Sequence, residues 1–255
     1  MVKERRFIVA VASVKQRPLN LVVCGHGRIG GALLEKLGVQ ELPVSVWRAR
    51  IDPEQGLYCQ EATLPAQIDL LIICISAGQK SKPSTRWQWR QIFAGLTRQL
   101  HSGAVTVKNI VMVSSTRVYE AIEQGIVTAH TSASSCSEQG KGLVIAEQEL
   151  MALPAQVRIL RASGLYGVGY PVYRPILKAG LTKPRFGVDS AEVVARLYQS
   201  VVAAIDGRFC GQIEVLTDGG VYFEGECFYW PEDRPRIEVL AKQYRILLNS
   251  TAITL

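Results

Sequence analysis

One loop constrains this chain more than any other feature. Leu19–Cys24 (LNLVVC) is an apolar run of buried-strand length that ends at a glycine. Gly25-His26-Gly27-Arg28-Ile29-Gly30 follows, and Ile29, Ala32, Leu33, Leu34 and Leu37 then recur at helical spacing. A strand, a GxGxxG turn and a helix in immediate succession are the signature of a unit that cradles a dinucleotide. Gly25 permits the tight turn, Gly27 lets backbone approach a pyrophosphate, and Gly30 lets helix and strand pack closely. The phosphates then lie against N–H groups at a helix N-terminus, where the dipole favours anions. Gly25, Gly27, Arg28, Ile29 and Gly30 are therefore expected to bind a cofactor through their backbone.

The same alternation runs on. Val44–Trp47 reads as a second strand, Leu57–Gln60 as a weaker third, and Leu70–Ile75 as a strand covered on both faces. Trp87–Leu100 reads as a helix, Ile110–Val113 as a strand, and Glu120–Cys136 as irregular. Gly142–Leu153 is helical, Val157–Leu160 a strand, and Asp189–Ile205 an amphipathic helix with Asp189 or Ser190 as its cap. Ile213–Thr217 is a late strand, Asp218-Gly219-Gly220 a turn, and Ile237–Leu248 a final helix. Alternating strands and helices give an α/β fold: a Rossmann-type, doubly wound parallel sheet with a small C-terminal substrate-side region. Residues 1–18 form an N-terminal extension, 19–165 the dinucleotide-binding domain, and 166–255 a reduced C-terminal region packed on it.

Composition narrows the function classes. Of 255 residues 48% are hydrophobic and 20% charged, which excludes a disordered chain. The net charge of +7 is spread along the sequence, and no zinc-finger spacing or aromatic RNA-binding signature accompanies it, so nucleic acid is disfavoured. Six cysteines without a CxxC pair fit a reducing cytoplasm, with Cys24 and Cys74 as small core side chains. Phe7–Val14 is apolar and follows basic residues, but Lys15 and Arg17 come at once, so an extension or extra strand is preferred to a secretory leader. No apolar run approaches the roughly 20 residues that span a bilayer. His26, His101 and His130 lack metal-ligand spacing, so no metal is expected. A GxSxG elbow and a GxxxxGK[ST] loop are both missing.

The end of the second strand separates the two nicotinamide dinucleotides. An acidic residue there accepts hydrogen bonds from a ribose 2′-OH. This chain has Val46-Trp47-Arg48-Ala49-Arg50, and a guanidinium fork suits a 2′-phosphate. Arg48, with Arg50 as second choice, points to NADP before NAD.

Three further segments complete a set. Ser76-Ala77-Gly78 follows the fourth strand, Val113-Ser114-Ser115-Thr116-Arg117-Val118-Tyr119 the fifth, and Leu160-Arg161-Ala162-Ser163-Gly164-Leu165-Tyr166-Gly167-Val168-Gly169 the sixth. With the glycine loop they resemble the atypical and extended short-chain dehydrogenase/reductase family, in its NAD-dependent epimerase/dehydratase-like branch, over roughly residues 19–220. The resemblance implies that Ser115 hydrogen-bonds a reacting substrate oxygen. It also implies that Ser76, Ala77, Ser114, Ala162 and Ser163 line the nicotinamide and its ribose, and that flanking helices pair two chains into a homodimer.

The departure from the family is as informative. Its acid/base is a tyrosine followed four residues later by a lysine. With Glu147 set on the glutamate after that pair, Gln139 stands at the tyrosine and Leu143 at the lysine. Neither moves a proton at neutral pH, and a positioned acid/base contributes typically 10²–10⁴-fold. Tyr119 is the catalytic stand-in considered, with Tyr166 behind it. Two readings follow: an NAD(P)-dependent oxidoreductase or epimerase with a non-standard acid/base, or a catalytically silent NADP(H)-binding sensor or interaction module. A methyltransferase is disfavoured by SSTRVY and RASGLYG. The small-molecule substrate is not legible in the sequence.

Overall fold

The computed structural model describes residues 17–75, 85–122, 125–167 and 185–217, together with the backbone of three short strands further on. The apolar stretch Phe7–Val14, Ser76, Ala77, the Trp87 side chain and the turn at Asp218–Gly220 lie outside the described residues. The elements run β1 (Leu19–Cys24), α1 (Arg28–Gly38), β2 (Val44–Asp52), β3 (Gly56–Tyr58), β4 (Gln67–Ile73), α2 (Thr85–His101) and β5 (Thr106–Ser115). A 3₁₀ turn (Thr116–Tyr119), β6 (Gly125–Val127), α3 (Glu138–Met151), β7 (Gln156–Ala162), β8 (Gly164–Tyr166), β9 (Arg185–Asp189), α4 (Ser190–Ile205) and β10 (Gln212–Leu216) follow. The short strands are β11 (Val221–Phe223), β12 (Glu226–Phe228) and β13 (Ile246–Leu248).

Seven strands form the central sheet in the order β10-β7-β5-β4-β1-β2-β3. All neighbours are parallel except β2 and β3. The chain winds outward from β1 in both directions, as expected for a doubly wound Rossmann-type sheet, and the direction reverses between β1 and β4. Alternate residues of β1 show that it is covered on both faces. Val22 and Cys24 belong to a core closed by Phe93 and Leu96 of α2 and Leu143, Ala146 and Leu150 of α3. Leu19, Leu21 and Val23 belong to a second core, closed by Ile29 and Leu33 of α1 and Val193, Leu197 and Val201 of α4. Asp189 caps α4, its carboxylate accepting the Ala191 N–H at 2.8 Å.

Two expectations change. The weak third strand is antiparallel to β2, with Arg50 opposite Tyr58 and Asp52 opposite Gly56. Only Pro53, Glu54 and Gln55 join the two strands, whereas a parallel crossover needs a dozen residues or so. Asp52 sets the turn by accepting the N–H groups of Glu54 and Gln55 at 2.8 and 3.0 Å. These bonds, from Gln55 and then Glu54, lower the pKa of its carboxyl. The second change is at the C-terminus. Ile246–Leu248 is not the end of a helix but a strand, parallel to β6 within the segment read as irregular. Pairing with β6 outweighs a weak helical spacing there.

The free edge of β3 is covered from within. Gln99 of α2 accepts the Leu57 N–H at 2.7 Å and donates to the Leu57 carbonyl at 3.0 Å. One side-chain amide thus occupies a donor and an acceptor that would otherwise invite another strand.

Candidate functional site

Ligands of open α/β sheets bind beyond the carboxyl ends of the strands, where the winding direction changes. That place is the gap between β1 and β4, and the glycine loop sits on it. Gly25 has φ +89°, a conformation that side-chain-bearing residues rarely adopt. A Cβ there would also lie 2.5 Å from the Cys74 carbonyl oxygen at the end of β4. A Cβ on Gly30 would lie 1.9 Å from the Gly25 carbonyl oxygen. Gly27 differs: a Cβ would meet nothing within 4 Å. Gly27 is also the N-cap of α1, with no side chain capping it and no acidic residue in the first turn. The loop thus combines two glycines that folding requires with one that faces open space at a positive helix end. His26 turns back on the loop, its Nε2 3.1 Å from the Val23 carbonyl oxygen.

On one side of the loop lies β2. Arg48 is level with Val23, and Ala49 with the last residue of β1, Cys24. Arg50 stands two residues beyond Arg48 on the same face, and both side chains are exposed. Among the described residues neither guanidinium makes an ion pair.

On the other side lie the ends of β5 and β7, in register with Ser114 opposite Arg161 and Ser115 opposite Ala162. Ser115 caps the 3₁₀ turn, its hydroxyl oxygen accepting the Arg117 N–H at 3.3 Å. Ser114 is buried and donates to Glu147 Oε1 at 2.5 Å. Arg161 donates to Glu147 from Nη2 at 2.6 Å and from Nε at 3.1 Å, and both side chains are almost fully buried. Arg161 Nη1 also donates to the Tyr119 hydroxyl at 2.6 Å, and its guanidinium lies over the tyrosine ring at 5.0 Å. Tyr119 in turn donates to the Thr128 carbonyl at 2.8 Å. Burial pushes the tyrosine pKa up, against the pull of Arg161. The hydroxyl of the expected stand-in acid therefore has one partner for its proton and another for its oxygen.

Sequence reasoning used Glu147 only as a register mark for the missing pair. The structure makes it the hub of a buried circuit that joins β5, β7, α3 and the 3₁₀ turn. Leu143, at the lysine position, is buried in the core beneath α3, and Gln139 is half-buried in its first turn. Ala162 is buried at the end of β7. Ser163 follows it, donating its N–H to the Leu216 carbonyl at 3.0 Å. Its hydroxyl is buried without a partner. Ser76 and Ala77 fall outside the described residues. Among the described residues no group of three or more His, Cys, Asp or Glu could hold a metal ion, and no helix is long and apolar enough to cross a membrane.

No family model matches the sequence, and no curated protein matches it. Solved structures do share the fold. The human epimerase family protein SDR39U1 with NADPH superimposes with a TM-score of 0.60 at 13% identity, over 81% of this chain and 77% of that one. A short-chain dehydrogenase/reductase superfamily protein from Agrobacterium tumefaciens with bound NAD gives 0.56 at 14% identity, over 91% and 85%. A dTDP-4-dehydrorhamnose reductase from Clostridium acetobutylicum gives 0.57 at 14% identity, over 93% and 86%. The fold of this chain is thus that of the NAD-dependent epimerase/dehydratase and short-chain dehydrogenase/reductase proteins.

Proposed function

We propose that this chain is a nicotinamide-dinucleotide-binding protein that prefers NADP to NAD. The observation that carries the reading is the pair Arg48 and Arg50, exposed and without ion-pair partners among the described residues, beside a glycine-rich helix N-terminus that no side chain caps. The residues present fit the group. Backbone of Gly25, Gly27, Arg28, Ile29 and Gly30 receives the pyrophosphate. Arg48, seconded by Arg50, takes the 2′-phosphate as a bidentate partner. Ser115, Ala162 and Ser163 border the opposite half of the ligand. Fold relatives holding NADPH and NAD agree with a nicotinamide cofactor and leave the choice between the two to the arginines.

When bound, a nicotinamide ring supplies hydride chemistry. The chain's own contribution is a hydroxyl, Ser115, placed to hold a substrate oxygen. The proton is the weak point, because Gln139 and Leu143 cannot carry it and Tyr119 gives its own to Thr128. That engagement favours a structural role for Tyr119 and supports the second reading, a silent NADP(H) sensor or interaction module. If the chain is an enzyme, it is an oxidoreductase or epimerase whose proton comes from elsewhere.

Calorimetry with both dinucleotides tests the cofactor. NADP is expected to bind at least tenfold tighter than NAD, and Arg48→Ala to remove most of that margin, since a hydrogen bond to a charged group contributes about 1.5–3 kcal/mol. Tighter NAD binding overturns the preference. Saturable NADPH consumption with any of a panel of carbonyl compounds, abolished by Ser115→Ala, selects the enzyme over the sensor.

A further inference from the structure

The central sheet ends at β3, and among the described residues no strand lies beyond it. Leu57 stands opposite Ile51 of β2, yet its N–H and its carbonyl both point away from β2, since both bond to Gln99. Two glycines make room for that contact. A Cβ on Gly56 would lie 2.7 Å from Gln99 Oε1, so a side chain there would displace the amide. A Cβ on Gly95, one turn before Gln99 on α2, would lie 2.6 Å from the Pro53 carbonyl oxygen. Gly95 thus lets the helix come down on the hairpin, and Gln99 reaches the edge from there.

An edge residue with both groups turned outward is self-complementary. In an antiparallel pair, a residue and the one opposite it exchange both N–H···O bonds. Two copies of β3 related by a two-fold axis through Leu57 set that residue against itself, and each copy fills the donor and acceptor of the other. The same pairing sets Gly56 against Tyr58, and an aromatic ring covers an edge glycine well. The Gln99 amide offers Leu57 the same acceptor and the same donor as that second strand. We propose that β3 is a strand-addition site for a second copy of this chain, and that Gln99 holds it shut. The device belongs to the hairpin and α2 alone and is independent of the dinucleotide reading.

Sedimentation over a range of protein concentrations tests this on the unaltered protein, Gln99→Ala and Gln99→Glu, with folding checked by circular dichroism. Gln99→Ala is expected to tighten self-association about tenfold or more, because two backbone bonds between copies become available. Gln99→Glu also loses the donor to the Leu57 carbonyl, but it places a charge at the edge and should associate no more than the unaltered protein. Equal association of both variants traces it to lost stability rather than to an open edge and overturns the proposal. So does a Gln99→Ala protein that associates no more than the original. Amide hydrogen exchange on the unaltered protein gives a reading that needs no variant. The Leu57 N–H should exchange slowly, at a rate independent of protein concentration, because its acceptor lies in the same chain. Fast exchange, or protection that grows with concentration, removes Gln99 as the guard.

Discussion

The three glycines of the opening loop are not equivalent, and the difference separates folding from binding. Gly25 and Gly30 are required by their own surroundings: Gly25 has φ +89° and no room for a Cβ against Cys74, and a Cβ on Gly30 would collide with the Gly25 carbonyl oxygen. Gly25→Ala is expected to cost about 3 kcal/mol or more, combining a disfavoured backbone with overpacking. Gly27 has φ −72° and open space above it, so Gly27→Val should fold with a loss of about 1 kcal/mol. It should nonetheless reduce dinucleotide affinity more than tenfold, because the new side chain stands where a phosphate would. Thermal denaturation read beside calorimetry distinguishes the two kinds of glycine. The loop was legible in the sequence because its requirements are local. The circuit of Ser114, Glu147, Arg161 and Tyr119 was not. Its hydrogen-bonded members are up to 42 residues apart and meet only through the register of β5 on β7 and the packing of α3.

At the scale of elements, that circuit is what ties α3 to the sheet near the site. Glu147 and Arg161 are 3% and 4% exposed at their side chains, so removing one leaves the other charged and out of water. Glu147→Gln should lower stability by about 3–5 kcal/mol. The pair Glu147→Leu with Arg161→Met should be milder than either single change, as chemical denaturation will show. The central strands were readable as apolar runs and α1 to α4 from helical spacing, since a strand covered on both faces is apolar throughout and a helix buries one stripe. β3 was misjudged in direction, because its strand character is visible but the brevity of Pro53–Gln55 decides its partner. β6 and β13 are three residues each, too short for any period, and only their mutual pairing defines them.

For the whole molecule, alkaline pH is the informative variable. Cys24 is fully buried between the two parting directions of the sheet, and burial, followed by the neighbouring Cys74 and Cys59, raises its pKa well above that of a free thiol. Burial likewise pushes Cys74 up to about 12. In the unfolded chain both lose their protons near pH 9, while the folded chain keeps them. Stability is therefore whole below that pH and falls above it, by about 1.4 kcal/mol per unit for the Cys24 thiol. A denaturant series between pH 8 and 10.5 should show the decline, and Cys24→Ala should about halve its slope, leaving the part that Cys74 contributes. The winding of the sheet also bears on charge. A crossover helix between β2 and β3 would have lain on the same side as α1, since right-handed connections that step in one direction fall on one face. The hairpin omits it. Val46, Arg48 and Arg50, on the face opposite the core residues Trp47, Ala49 and Ile51, are the side chains such a helix would have roofed. An abbreviated connection has opened a window in the wall of the sheet, and its frame is cationic.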